Sequence, residues 1–291
     1  MKQFVFSIDI EDWFQVENLK NVVFYKDWAN ADLRICESTN TVLEMLGMHN
    51  VKATFFILGW IAERVPGLVK RIADNGHEIA SHGYKHELLH TIDDTKVELD
   101  IKKSLKILKP LAHNRIVGYR APSFSITKTA ARSLKAMNFK YDASLNDFQF
   151  NKRYGRIAVS KKIGKVNHHN CTYAVLENGL IEFPISVNTY LRVYWPLGGG
   201  YFRLSPMWFL KKQLCDIYKT NDIACVYLHP WEFDPAQPRV EGLSVSYYVR
   251  HYYGLGKTAG KFESLIGLVK SIPDIEIRTF GEMAKKFTNV D

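Results

Sequence analysis

Apolar residues along the first half of the chain recur with two alternating periods. Phe4 to Ile10 (FVFSIDI) is a short β-rich run, and behind Ser38, which reads as an N-cap, Val42, Met45 and Leu46 share one face of a helix. Lys52 to Leu58 (KATFFIL) predicts a second strand; Pro66 then opens a helix whose Leu68, Val69 and Ile72 repeat at helical spacing before Gly76 stops it. His77 to Ala80 (HEIA) predicts a third strand, and from Asp93 onward Val97, Ile101, Leu105 and Leu108 mark a long amphipathic helix. Ile116 to Arg120, a helix near Thr127 to Met137 and a run at Tyr141 to Leu145 carry the alternation on. Short strands separated by helices in this order predict parallel strands with crossover connections.

Residues 146–204 break the rhythm, with Gly155, Gly164, the His168-His169 pair, Gly179 and the triplet Gly198-Gly199-Gly200, and read as an insertion or an antiparallel excursion. A helix at Pro206 to Tyr218 and a strand at Ile223 to Pro230 (IACVYLHP) restore α/β order, and a helix, a short strand and a helix fill Thr258 to Phe287. No composition break marks a linker and no fixed-period repeat is present, so the expectation is one α/β domain over residues 1–291 with an elaborated second half.

Composition removes whole classes of answer. With 46% hydrophobic and 24% charged residues in 291, the chain is neither disordered nor fibrous. Its 39 Lys and Arg against 30 Asp and Glu leave a net +9, which favours anionic ligands or an anionic membrane surface. There is no basic run or recognition motif, so no nucleic acid is expected. The start, MKQFVFSIDIEDWF, meets carboxylates too soon for a signal-peptide core, and no uncharged apolar stretch is long enough to span a bilayer. A cytoplasmic protein, with membrane contact no more than peripheral, is expected. Cys36, Cys171, Cys215 and Cys225 show no paired spacing and read as reduced, mostly buried thiols.

In parallel α/β folds, functional residues gather at the carboxyl ends of the strands. The first predicted strand ends in Asp9-Ile10-Glu11-Asp12, and alternation turns Asp9 and Glu11 to one side, where a cation or plain solvation would relieve their repulsion. The third ends in Ser81-His82-Gly83-Tyr84-Lys85-His86; one helical turn after His82 would bring His82 and His86 to a common face. Two histidines and a carboxylate with an open fourth position form a known catalytic zinc arrangement. The next strand ends in Arg120-Ala121-Pro122, a guanidinium suited to holding a carboxylate, and the strand from Ile223 ends in His229-Pro230-Trp231-Glu232.

Carboxylates, HxxxH, Arg-x-Pro and His-Pro in this order resemble the polysaccharide deacetylases, the NodB-homology group or carbohydrate esterase family four, over residues 1–232. The resemblance implies a distorted (β/α) barrel with core motifs in 1–232 and a C-terminal extension over 233–291. It implies Asp9 as catalytic base held by Arg120, His229 as general acid, and His82 and His86 as ligands of one divalent metal, zinc being expected. The family's usual Asp-Asp is here Asp9-Ile10-Glu11-Asp12, so by the Asp-x-Asp register Glu11 is the third ligand and Asp12 the second choice. Gly198 to Arg203 (GGGYFR), His229 to Arg239 and Tyr252 to Leu265 resemble a subgroup associated with exopolysaccharide loci. The activity implied is metal-dependent N-deacetylation of a glycan or of its lipid- or nucleotide-linked precursor, with Tyr201 and Trp231 in contact with the sugar. A non-sugar amide hydrolase and a non-catalytic glycan-binding protein are the alternatives.

Overall fold

A computed structural model describes residues 1–146, 154, 155, 157, 159–163, 173–191 and 193–288. The expected strand-helix alternation is present: β1 (Lys2–Ile10), α1 (Ile35–Met48), β2 (Thr54–Ile57), α2 (Gly59–Arg64), α3 (Pro66–Asp74), β3 (Glu78–Ser81), α4 (Asp94–Leu108), β4 (Gly118–Tyr119), α5 (Lys128–Ala136) and β5 (Tyr141–Asp142). The region expected to be irregular forms β6 (Val159–Ile163), β7 (Tyr173–Leu176), β8 (Ile181–Glu182) and the hairpin β9 (Val187–Tyr190) and β10 (Val193–Pro196). Then follow α6 (Gly199–Leu204), α7 (Met207–Thr220), β11 (Ile223–Leu228), α8 (Val245–Tyr252), α9 (Thr258–Ser271), β12 (Ile275–Ile277) and α10 (Phe280–Thr288).

Strand order in the main sheet is β11-β1-β2-β3-β4-β5-β8-β7-β6. Pairing is parallel from β11 to β8, and β7 is antiparallel to both β8 and β6, so the excursion within 146–204 is the antiparallel one. β1 is buried along almost its whole length, as a central parallel strand covered on both faces must be.

The sheet curls into a distorted barrel whose last gap is closed by loops. Phe183 and Ile185 donate their backbone N–H to Asp142 and Leu145, extending the β5 edge. Ser186 Oγ then accepts from the Cys225 N–H at 2.8 Å, Leu197 donates to the Ser186 carbonyl, and Tyr227 of β11 donates to Leu197. After residue 232, β12 pairs with the first residues of β1 and α9 packs Phe262, Leu265 and Ile266 into the core.

Two sequence expectations change. The helix around Val42 begins at Ile35 rather than after Ser38, whose hydroxyl bonds back to the Arg34 and Ile35 carbonyls from inside the helix. Of the cysteines, Cys36, Cys215 and Cys225 are free thiols, but only Cys225 is buried; Cys171, like His168 and His169, lies outside the described residues.

Candidate active site and metal centre

Alternation along the strands divides the barrel into layers. Val5, Phe56, Ala80, Tyr141 and Cys225 fill its interior. On the same inward faces, towards the carboxyl ends, the residues become Ser7 and Asp9 from β1, His82 after β3, Arg120 after β4 and His229 after β11. Parallel register lines them up: Ile8 pairs with Leu228, Ile57 with Ser81, and Ser81 with Tyr119. Four strand ends therefore deliver polar side chains to one level above an apolar floor.

Glu11, His82 and His86 offer one ligand atom each, all within 4.8 Å of one another. His82 Nδ1 lies 2.8 Å from the Arg120 carbonyl oxygen. Burial holds this imidazole down at about 4, so it is neutral, donates through Nδ1 and keeps a lone pair on Nε2. His86 Nε2 stands 2.8 Å from Glu11 Oε2, yet off the line of a hydrogen bond, and that buried oxygen has no hydrogen-bond partner. Burial opposes the Glu11 charge, but the neighbouring His86 and His229 overcome it and bring the carboxyl down to about 2. A carboxylate oxygen and imidazole nitrogens converging in a buried pocket without bonding one another fit a divalent cation.

The turn that brings the histidines together is not helical. Gly83 and His86 both have left-handed backbone, with φ of 72° and 55°, and the Asp100 carboxylate on α4 accepts from the Tyr84 and Lys85 N–H groups at 2.8 and 3.0 Å. A side chain at Gly83 would meet Asp100 Oδ2 at 2.6 Å, which is why glycine stands there. Asp100 pins this loop, and nothing in the local sequence signals it.

Asp9 is buried and its Oδ1 accepts from the Arg120 guanidinium at 2.7 Å. Arg120 also donates to Ser7 Oγ and to the Ala143 carbonyl, and its guanidinium lies 4.1 Å from the centre of the Phe56 ring. His229 Nε2 faces Glu11 Oε1 at 3.0 Å and Asp9 Oδ2 at 3.9 Å, while Nδ1 meets Glu232 Oε1 at 2.7 Å. Burial lowers this imidazole, but Glu11, Glu232 and Asp9 together raise it to about 9.

Asp12, the second choice of ligand, is placed differently. It follows Glu11 in sequence, but the chain turns after the strand and its carboxylate accepts from the Trp13, Arg34 and Ile35 N–H groups at 2.8, 2.9 and 3.0 Å. It caps a short helical turn and ties it to the start of α1, outside the Glu11, His82 and His86 cluster. Tyr201 and Trp231 both line the cleft above the site, a space of about 810 Å³ shared with Asp9, Glu11, His82 and His229. Trp231 is largely buried, with its ring stacked between those of His229 and His251. The local reading left out His251 and gave Arg203 no role; both are buried behind His229, Arg203 against Glu232 and His251 against Trp231, through contacts that span the chain.

Residues 31–141 match the family model described as Polysaccharide deacetylase, and residues 143–279 match a domain of unknown function, DUF3473. The chain is 46% identical over 88 residues to a peptidoglycan-N-acetylglucosamine deacetylase of Bacillus cereus, a match covering 30% of each chain. Among solved structures it is similar to a putative polysaccharide deacetylase from Mycobacterium smegmatis, with a TM-score of 0.60 and 18% identity over 98% of this chain and 89% of the other. It is likewise similar to Puue allantoinase, at a TM-score of 0.62 and 13% identity over 99% and 90%; at these identities the likeness is one of fold.

Proposed function

We propose, for a chain that carries a polysaccharide deacetylase domain of the NodB-homology type, that it hydrolyses the N-acetyl amide of a hexosamine in a glycan and requires a divalent metal, zinc, to do so. The observation that carries this is the convergence of Glu11, His82 and His86, with one Glu11 oxygen left without a hydrogen bond, beside the Asp9–Arg120 pair and His229. We treat residues 1–291 as one domain in this reading.

Glu11, His82 and His86 would hold the metal. When bound there it would lower the pKa of a water and polarise the amide carbonyl. Arg120, bonded to Asp9 Oδ1, holds the carboxylate turned so that Oδ2 faces the cleft and can take a proton from the attacking water. The water oxygen bonds to the acetyl carbon, the C–N bond breaks, and His229 Nε2 gives its proton to the departing sugar amine. Acetate and a free amine result. Base and acid thus sit in different surroundings, Asp9 beside a guanidinium and His229 between carboxylates that favour its protonated form. Tyr201, on the cleft wall, offers a ring face to the sugar, and Trp231 lines the same cleft with its ring faces against His229 and His251.

The net charge of +9 supports a phosphate-bearing glycan carrier, reached from a cytoplasmic position at an anionic membrane; among the described residues no helix is long and apolar enough to cross a membrane. The reading is tested by measuring acetate release from N-acetylglucosamine oligomers with and without added zinc. Zinc-dependent release supports it, and no release from any N-acetylated glycan by metal-loaded protein overturns it. Equal, salt-insensitive rates on neutral and phosphate-linked glycans would remove the carrier.

A further inference from the structure

The glycine triplet, the HPWEF run and the YY segment lie apart in sequence and meet around one side chain. His229 Nδ1 and its backbone N–H both reach Glu232 Oε1, at 2.7 and 3.1 Å. The other Glu232 oxygen accepts from Arg203 Nε at 2.7 Å. Arg203 spends its remaining nitrogens on main-chain carbonyls, NH1 on His251 and Tyr253 and NH2 on Arg250, at 2.6 to 2.9 Å. Glu232 is 0% and Arg203 3% exposed. The glycines explain how Arg203 gets there: a Cβ at Gly198 would sit 2.4 Å from Tyr227, and Gly199 takes φ 51°. The opposite face is closed by Trp231 against His251, whose Nε2 is bound to Gln237 Oε1 at 2.8 Å.

We infer that Glu232 and Arg203 are positioning residues for His229: an acceptor-only carboxylate, locked by a buried arginine, obliges Nδ1 to be the donor and leaves Nε2 as the nitrogen that gives and recovers a proton in the cleft. A neutral imidazole can hold its proton on either nitrogen, and only one tautomer leaves Nε2 able to act. Freezing Glu232 from behind matters because a carboxylate free to rotate would let the ring follow it. All members of this clamp fall within residues 143–279, the stretch matched to a domain of unknown function, so the inference gives that region a task. It rests on the deacetylase reading for what His229 does, and on geometry alone for how the ring is held.

The test compares full-length wild type with Glu232→Gln and Arg203→Gln. With an N-acetylglucosamine oligomer as substrate, kcat should fall about 10- to 100-fold in both variants. KM should stay within about twofold, and zinc per chain should match wild type. Long-range ¹H–¹⁵N spectra of histidine-labelled protein, taken at a pH where the ring is neutral, should show His229 protonated on Nδ1 in wild type and a mixture in Glu232→Gln. Unchanged kcat, or losses of kcat, metal and thermal stability in proportion, would reduce the clamp to packing. A wild-type His229 protonated on Nε2 would overturn the inference outright. An inactive wild type would defeat the deacetylase reading instead, and the spectra would still decide the tautomer.

Discussion

Glu11 and Glu232 are both buried carboxylates that touch His229, one from each wall of the cleft, and their surroundings differ in kind. Glu232 has both oxygens hydrogen-bonded, to His229 and to Arg203. Glu11 has one oxygen that no donor satisfies, although His86 is close enough to touch it. Leaving a buried carboxylate oxygen without a hydrogen bond is costly, and proteins keep such an atom where something else is to fill the gap. The wall built from β1 and β3 is arranged for a cation to complete, whereas on the wall built from α6 and the turn after β11 the Glu232 carboxylate already holds both its partners.

The sharpest way to break this contrast is to remove one ligand from the incomplete wall. His82→Ala should lower bound zinc from near one per chain to a small fraction, measured by elemental analysis after purification without chelator. If the metal contributes several kcal/mol to the barrier, acetate release should fall about a thousand-fold or more. Full metal occupancy in the variant would show that Glu11 and His86 bind it without this side chain, and the three-residue centre would be wrong.

The next effect is on stability. Arg120 neutralises Asp9 while both are buried, so Arg120→Met strands a carboxylate and should cost about 3–5 kcal/mol in urea unfolding. Adding Asp9→Asn should recover part of that loss, because the double variant carries no buried charge at that position. A double variant less stable than Arg120→Met would show that Asp9 is held by more than this arginine.

The same contrast explains what the sequence could reveal. Asp9, Glu11, His82, Arg120 and His229 were legible because each stands at or just past a strand end, and short spacing with strand alternation places such residues on one face. The HxxxH spacing was legible although its expected geometry was not, since the loop follows Gly83 and Asp100 rather than a helical turn. The capping contacts of Asp12 were not legible, because adjacency to Glu11 does not tell where the chain turns. The other wall was opaque: Arg203 meets Glu232 from 29 residues away and the His251 carbonyl from 48, with no local period to connect them. The strands of the antiparallel excursion gave a weaker signal individually, because β8 is only two residues long and β6 and β7 are separated by a mainly polar stretch of sequence.

A third buried carboxylate sharpens the comparison from another side. Asp142 and Glu182 are register partners on β5 and β8, and Glu182 Oε1 accepts from the Ser144 and Leu145 N–H groups at 3.0 and 2.7 Å. Glu182 is driven well above its ordinary 4.5 by burial and by the Asp142 charge, so the pair keeps a proton. The folded state then binds a proton that the unfolded chain releases above that ordinary value. Stability from this group is therefore full below pH 4.5 and declines as pH rises towards the raised folded value. Within that window the decline is about 1.4 kcal/mol per pH unit for one full proton. Glu182→Gln imitates the protonated form, so it should match wild type near pH 4 and grow relatively more stable as pH is raised. Parallel stability curves would mean that the pair ionises freely in the fold.

Asp12→Asn should have the smallest effect, and it bears on the incomplete wall directly, because Asp12 is the carboxylate next to Glu11. Its oxygens accept three backbone N–H groups, and an amide in their place sets an NH₂ against at least one of those donors. The expected cost is about 1 kcal/mol, that of a weakened cap, with zinc per chain and kcat unchanged. Glu11→Gln, measured alongside, should lose the metal while leaving the Asp12 cap intact. If the two variants exchanged these phenotypes, the cation would belong to Asp12, and the unsatisfied oxygen of Glu11 would need the surrounding histidines alone to account for it.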